Sequence, residues 1–158
     1  VVSNNATFDR YKTRAIFNID MITRKAKYKD IPAINALIPG VEANYLVNGK
    51  DIAIVACDKE TVVGFIWCGV LASGTLGLVD FFFVSDKWRN KKVGQKLTKQ
   101  LAKVCKLKKI KEVRAHIRHD AFHDASAMNC LKAGLKADKV LSTGIYGSVE
   151  DCAKVLGV

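Results

Sequence analysis

Short apolar bursts separated by turn signals fill the first half of the chain, and apolar residues recurring every three or four positions fill much of the second. The first pattern predicts strands and the second helices. Ala15 to Thr23 reads as a first strand. Asp30 is placed to cap a helix whose Ile31, Ile34, Leu37 and Ile38 share one face, with Pro32 harmless in its first turn and Pro39-Gly40 as its stop. A short helix from Val41 to Leu46 follows. Ile52 to Ala56, Val62 to Leu71 and Leu76 to Val84, parted by turns at Asp58–Glu60 and Ala72–Thr75, form three antiparallel strands. Val93 to Lys108 is an amphipathic helix, Glu112 to Arg118 a strand, and Ala121 to Ala133 a helix stopped by Gly134. Strand, helix, strand in succession implies one parallel pair inside an otherwise antiparallel sheet. After Leu135 there is room for two short strands, Lys139 to Ser142 and Ile145 to Val149, and a last polar turn of helix. The expected class is α+β: a mixed, mostly antiparallel sheet of six or seven strands with about four helices. The final strand is short, absent or supplied by a partner chain.

Composition narrows the class. A chain of 158 residues accommodates one domain with a sizeable core, and no linker or repeat divides it; residues 1–14 are polar and read as an irregular extension. The uncharged stretch Thr61 to Val79 is long enough to test as a membrane span, but Gly64, Gly69, Ser73, Gly74, Thr75 and Gly77 break it. Two strands joined by a hairpin explain it better, with no signal peptide ahead of them and no membrane partner. Five widely spaced cysteines without a Cys-x-x-Cys grouping suggest reduced thiols in a cytoplasmic protein and no metal site. The net charge is +11, and from Lys87 to Lys111 there are eleven Lys or Arg and no acid. Lys92, Lys96, Lys99, Lys103 and Lys106 form one stripe on the helix opposite Val93, Leu97, Leu101 and Val104. That stripe is either a solvated face or a surface for a polyanion.

Candidate chemistry concentrates where the phenylalanine-rich strand Val79–Val84 runs into Trp88-Arg-Asn-Lys-Lys-Val-Gly-Gln-Lys-Leu97. A helix that begins just past a strand end offers unpaired N–H groups and a positive dipole end to an anion. The N–H groups of Asn90, Lys91, Lys92, Val93, Gly94 and Gln95, with Arg89 and Lys92 as charge partners, make a phosphate site. Asp80 is the lone charge in the apolar strand and by alternation shares a face with Leu78, Phe82 and Val84. Buried there, its pKa would rise and suit it to act as a base, directly or through water; the alternative is a structural pair with a nearby Arg or Lys. His116, His119 and His123 cluster at the end of the Glu112–Arg118 strand, where a histidine could deprotonate an amine or simply face solvent.

These residues resemble the GNAT family of N-acetyltransferases in three blocks. The pyrophosphate loop of that family reads Arg/Gln-x-x-Gly-x-Gly/Ala, matched by Arg89 and Gly94 with Lys92 in place of the first glycine. His123 to Leu135 is similar to Asn-Glu-Ala-Ser-x-x-x-x-x-Lys-x-Gly-Phe through Ala125, Ser126, Lys132, Ala133 and Gly134, with His123 at the usual asparagine. Ile22 to Ile34 is similar to the family's opening strand and first helix. The resemblance implies that the parallel pair splays and admits acetyl-CoA, the co-substrate, which meets Phe82, Val84, the loop Arg89–Gln95, His123 and Ser126. It implies direct acetyl transfer to a primary amine of a small molecule or protein. Val79–Val84 is similar to the strand of polyamine acetyltransferases, with Asp80 at their catalytic glutamate. The family's thiolate-protonating tyrosine falls at Cys130 here, which leaves Ser126 as the next donor. Glu42, Asn44 and Tyr45, with the loop near Thr143 to Tyr146, would line the acceptor site by analogy. The competing expectation is a catalytically weak module of the same fold, binding nucleic acid or an acidic partner through Lys96, Lys99, Lys103 and Lys106. A homodimer is compatible with either.

Overall fold

The computed structural model describes residues 21–116, 123–134, 136–137 and 144–158, and of residues 123–127, 136–137 and 144–146 the backbone alone. In chain order the elements are β1 (Met21–Lys25), α1 (Ile31–Leu37), α2 (Ala43–Leu46), β2 (Ile52–Asp58), β3 (Thr61–Leu71), β4 (Leu76–Val84), α3 (Val93–Leu107), β5 (Glu112–His116), α4 (His123–Lys132), β6 (Lys136–Ala137), β7 (Gly144–Ser148) and α5 (Val149–Leu156). The seven strands lie in the order β1-β2-β3-β4-β5-β7-β6. Every pairing is antiparallel except β4 with β5. The crossover through α3 makes that pair parallel, since a chain returning over one face of the sheet must re-enter it from the same end.

Two cores form, one on each face. Residues of β2, β3 and β4 that include Ile54, Ile66 and Val79 pack with Val93, Leu97, Leu101 and Cys105 of α3 and with Val149 and Cys152 of α5. On the opposite face Val55 and Phe65 pack with Ile34 and Ile38 at α1 and with Ala43 and Leu46 of α2. Central strands buried on both faces explain why β2 and β3 read as nearly continuous apolar runs.

Several elements depart from their expected form. Ser148 caps α5 by accepting the Asp151 N–H at 3.0 Å, so Val149 begins a helix rather than ending a strand. That helix is eight residues long and buries Val149, Cys152 and Ala153, where a polar turn was expected. Asp30 precedes α1, yet its carboxylate does not cap that helix. It accepts from both terminal nitrogens of Arg24, at 2.7 and 2.8 Å, and from the Lys27 N–H at 2.7 Å, and it is only 4 % exposed. Residues 1–14, most of the expected strand Ala15–Thr23, and the expected strand Lys139–Ser142 lie outside the described residues.

The register at the centre of the sheet positions the site. Among the described residues β4 pairs with β5 from Leu76↔Glu112 only as far as Val79↔Ala115, and the sheet splits there, one residue short of Asp80 and His116. Across β3, Trp67 faces Phe81 and Cys68 faces Val79, which leaves Asp80 as the extra residue of a β-bulge. The bulge resets the alternation. Val79, Phe82 and Val84 therefore lie on the α3 face while Phe81 and Phe83 pack against α1 and α2. The strict alternation expected of Asp80, Phe82 and Val84 is therefore interrupted at Asp80 itself.

Candidate active site

A cleft of about 780 Å³ opens at the split. One wall is β4 from Val79 to Val84, another the loop and helix start from Trp88 to Gln95, and a third comprises Ala115 and His116 of β5 with Met128, Asn129, Cys130 and Lys132 on and beside α4. Ile38 and Pro39 close the side nearest α1. The structure thus gathers Asp80, Phe82, Val84, Arg89, Asn90, Lys92, Val93, Gly94 and Gln95 around one space. Lys91 is apart from it, with its ammonium 5.0 Å over the Trp88 ring.

The loop is built for anion contact. After a 3-10 turn at Asp86–Trp88, Arg89 is extended, Asn90 has φ 61° and Lys92 has φ 62°. Left-handed backbone is unfavourable for residues with a Cβ, and Lys92 adopts it at the position where the family's first glycine would stand. Alternating the sign of φ along a short segment turns successive N–H groups toward one point. Lys92 is the N-cap of α3, and the first N–H used inside the helix is that of Lys96, bonded to the Lys92 carbonyl at 3.1 Å. The N–H groups of Val93, Gly94 and Gln95 are consequently left for an outside acceptor. Gly94 lies close under Phe82, and a Cβ there would stand 3.2 Å from the ring, which would have to yield slightly. Arg89 is anchored by Nε donating to the Val84 carbonyl at 3.2 Å, by Asp86 at 3.0 Å and by its guanidinium 5.6 Å over Phe83.

At the inner end of the cleft Asp80 is 43 % exposed, so the burial expected of it is not there. Its Oδ1 lies 3.7 Å from Nδ1 of His116. No lysine or arginine pairs with it among the described residues. His119 lies outside the described residues, and the side chains of His123 and Ser126 are likewise undescribed. Glu42, Asn44 and Tyr45 are absent from the cleft wall, and Tyr45 is well exposed. Cys130 lines the cleft, yet it is buried and its thiol is pushed up to about 11. A thiol that holds its proton more tightly than an ordinary thiol is a poor donor to a departing thiolate.

The sequence matches the Acetyltransferase (GNAT) family over residues 14–132, and the chain belongs to that family. The split sheet, the helix-start loop and the family together define an acetyltransferase that uses acetyl-CoA. Solved structures share the fold. The PaiA N-acetyltransferase of Thermoplasma acidophilum, in complex with coenzyme A, is 16% identical with a TM-score of 0.66, covering 80% of this chain and 96% of that one. An aminoglycoside 6'-acetyltransferase type Ii is 16% identical with a TM-score of 0.69, covering 81% and 97%. A ribosomal-protein alanine N-acetyltransferase of Escherichia coli is 11% identical with a TM-score of 0.65, covering 80% and 90%. No curated protein sequence matches the chain.

Proposed function

We propose that the protein transfers the acetyl group of acetyl-CoA directly to a primary amine. The observation that carries this reading is the continuity of the cleft from the free N–H groups of Val93 to Gln95 to the carboxylate of Asp80. A pyrophosphate at the loop, held by those N–H groups with Arg89 and Lys92 nearby, leaves the thioester to run along Phe82 and Val84 toward the gap between β4 and β5. Asp80 is the carboxylate on which removal of the amine proton depends, directly or through an intervening group. Ser126, and His123 beside it, remain our candidates from α4 for the thiolate proton and the cofactor contact.

The acceptor follows from charge. A surface of net +11 repels free polyamines at long range, so an acidic protein, a nucleotide-linked amine or a peptide N-terminus suits it better. An aminoglycoside and a ribosomal protein are the acceptors named for two proteins of the same fold. Five unbridged cysteines are consistent with a reducing compartment such as the cytoplasm. Acetyl-CoA at a hundred times its dissociation constant should stabilise the protein by about 2.7 kcal/mol, read as a rise in melting temperature of roughly 5–10 °C. Loss of the thioester in the presence of each acceptor class then identifies the amine. No melting shift at millimolar acetyl-CoA would overturn the proposal.

A second reading keeps the fold and adds a polyanion surface. Lys96, Lys99, Lys103 and Lys106 are all exposed along α3, and no carboxylate pairs with them among the described residues. Changing the four to Gln should weaken nucleic-acid binding and flatten log affinity against log salt by about 0.7–0.9 for each phosphate that loses its lysine. A solvated face predicts no saturable binding at physiological salt in either form.

A further inference from the structure

Asp80 and His116 are brought together by two independent irregularities of the sheet. The parallel ladder ends at Val79↔Ala115, so Asp80 and His116 are the next residue on each strand, at the point where the strands part. The bulge then frees Asp80 from the alternation of β4. The result is a carboxylate oxygen 3.7 Å from an imidazole Nδ1, both lining the cleft, with the His116 side chain 60 % exposed. On its other edge His116 pairs with Gly144 of β7, which has no side chain to cover the ring.

Resting on the acetyltransferase reading above, we propose that His116 is the catalytic residue that receives the amine proton, and that Asp80 is its positioning residue. A carboxylate at Nδ1 holds the proton on that nitrogen, leaving the Nε2 lone pair directed away from Asp80. Catalytic hydrogen bonds are often long in a free enzyme and tighten when substrate excludes water, so 3.7 Å is within reach of a working pair. The acceptor arrives as an ammonium and gives one proton to Nε2 of His116, which becomes imidazolium. The freed nitrogen lone pair attacks the thioester carbonyl carbon and a C–N bond forms. The C–S bond then breaks with its electron pair going to sulfur, the second nitrogen proton passes to that thiolate, and the imidazolium returns its proton to solvent. Asp80 remains a carboxylate throughout. It is shorter than the glutamate of the polyamine acetyltransferases that this strand resembles, and an imidazole fills the reach that it lacks.

The test has two arms, so that failure of this assignment and failure of the acetyltransferase reading give different results. In ¹⁵N-labelled protein at about pH 8, where an ordinary imidazole is neutral, long-range ¹H–¹⁵N correlation reports which ring nitrogen carries the proton, with H116Q assigning the signal. The Nδ1–H form is expected in the wild type and its loss is expected in D80N. An Nε2–H form in the wild type, or one unchanged by D80N, would overturn the pair whatever the activity. In the kinetic arm, with whichever of spermidine, kanamycin or an acidic N-terminal peptide turns over fastest, H116Q should lower kcat by about 100-fold while the KM for acetyl-CoA stays within twofold. Added imidazole should restore part of the turnover of H116A. H116Q retaining full kcat would overturn the proton-acceptor role. If the wild type neither binds acetyl-CoA nor turns over any of these amines, the acetyltransferase reading and this catalytic role fail together, and the tautomer shows only whether the pair exists.

Discussion

At the scale of single residues, the contrast between Asp30 and Asp80 is instructive. Asp30 is enclosed with a two-pronged guanidinium partner, while Asp80, at the bulge of β4, stays half open beside an imidazole. The hydrogen bonds from Arg24, helped by the Lys27 N–H, hold the Asp30 carboxyl below the usual carboxylate range, and burial opposes them only in part. A group whose folded pKa is depressed stabilises the fold above its unfolded value of about 3.9, and that contribution is lost as pH falls through the folded value. Asp30→Asn leaves Arg24 without its counter-charge. It should cost about 3 kcal/mol at pH 7, the lower end for a broken buried pair because Arg24 is partly solvated. Urea unfolding of both forms at pH 7, 5 and 3 checks this. The gap should be full at pH 7 and 5 and shrink at pH 3; a gap that is constant to about pH 2 would mean that Asp30 acts through shape and not charge.

At the scale of elements, the start of α3 is the piece on which cofactor affinity depends. Gly94→Pro removes one free N–H while proline remains tolerated in a first turn, so the protein should fold but lose about 10- to 100-fold in CoA affinity, the value of one hydrogen bond to a charged group. Gly94→Ala keeps the N–H and adds a Cβ against Phe82, which separates donor loss from crowding. Calorimetry with CoA gives both numbers, and equal affinity in the wild type and Gly94→Pro would end the loop assignment. This element was legible in the sequence because its signal is local: an apolar strand, then basic residues and a glycine, then a helical period. The bounds Leu76–Val84 emerged for the same reason, since turn residues bracket the run. The bulge at Asp80 was not legible, because a one-residue slip is a property of two strands and the alternation of one cannot show it. The meeting of Asp80 with His116 depends on where the parallel ladder stops, which is equally non-local. Ser148 to Leu156 misled because Val149 continues the alternation of β7, and only the serine cap turns the chain into a helix there.

At the scale of the molecule, the sheet carries two cores of different character, and the α3 side holds four of the five cysteines. Cys57, Cys68, Cys105, Cys130 and Cys152 are all buried, and burial pushes the thiols of Cys57, Cys130 and Cys152 upward. The Cys105 thiol is shifted the other way by its contact with Cys68, but it is fully enclosed, so a thiol reagent should find almost nothing to reach in the native protein and labelling must wait until the structure opens. With reclosing faster than capture, the labelling rate is proportional to the open population, so each sulfur becomes a clock for the breathing of its own layer. Cys57, on β2 in the α1-side core, and Cys105, on the buried face of α3, would then keep separate time. If the two clocks slow by one common factor when a ligand occupies the cleft, the sheet and both of its faces open as a single unit. If only the Cys105 clock slows, the sheet is a partition, and the layers on its two faces open independently of each other.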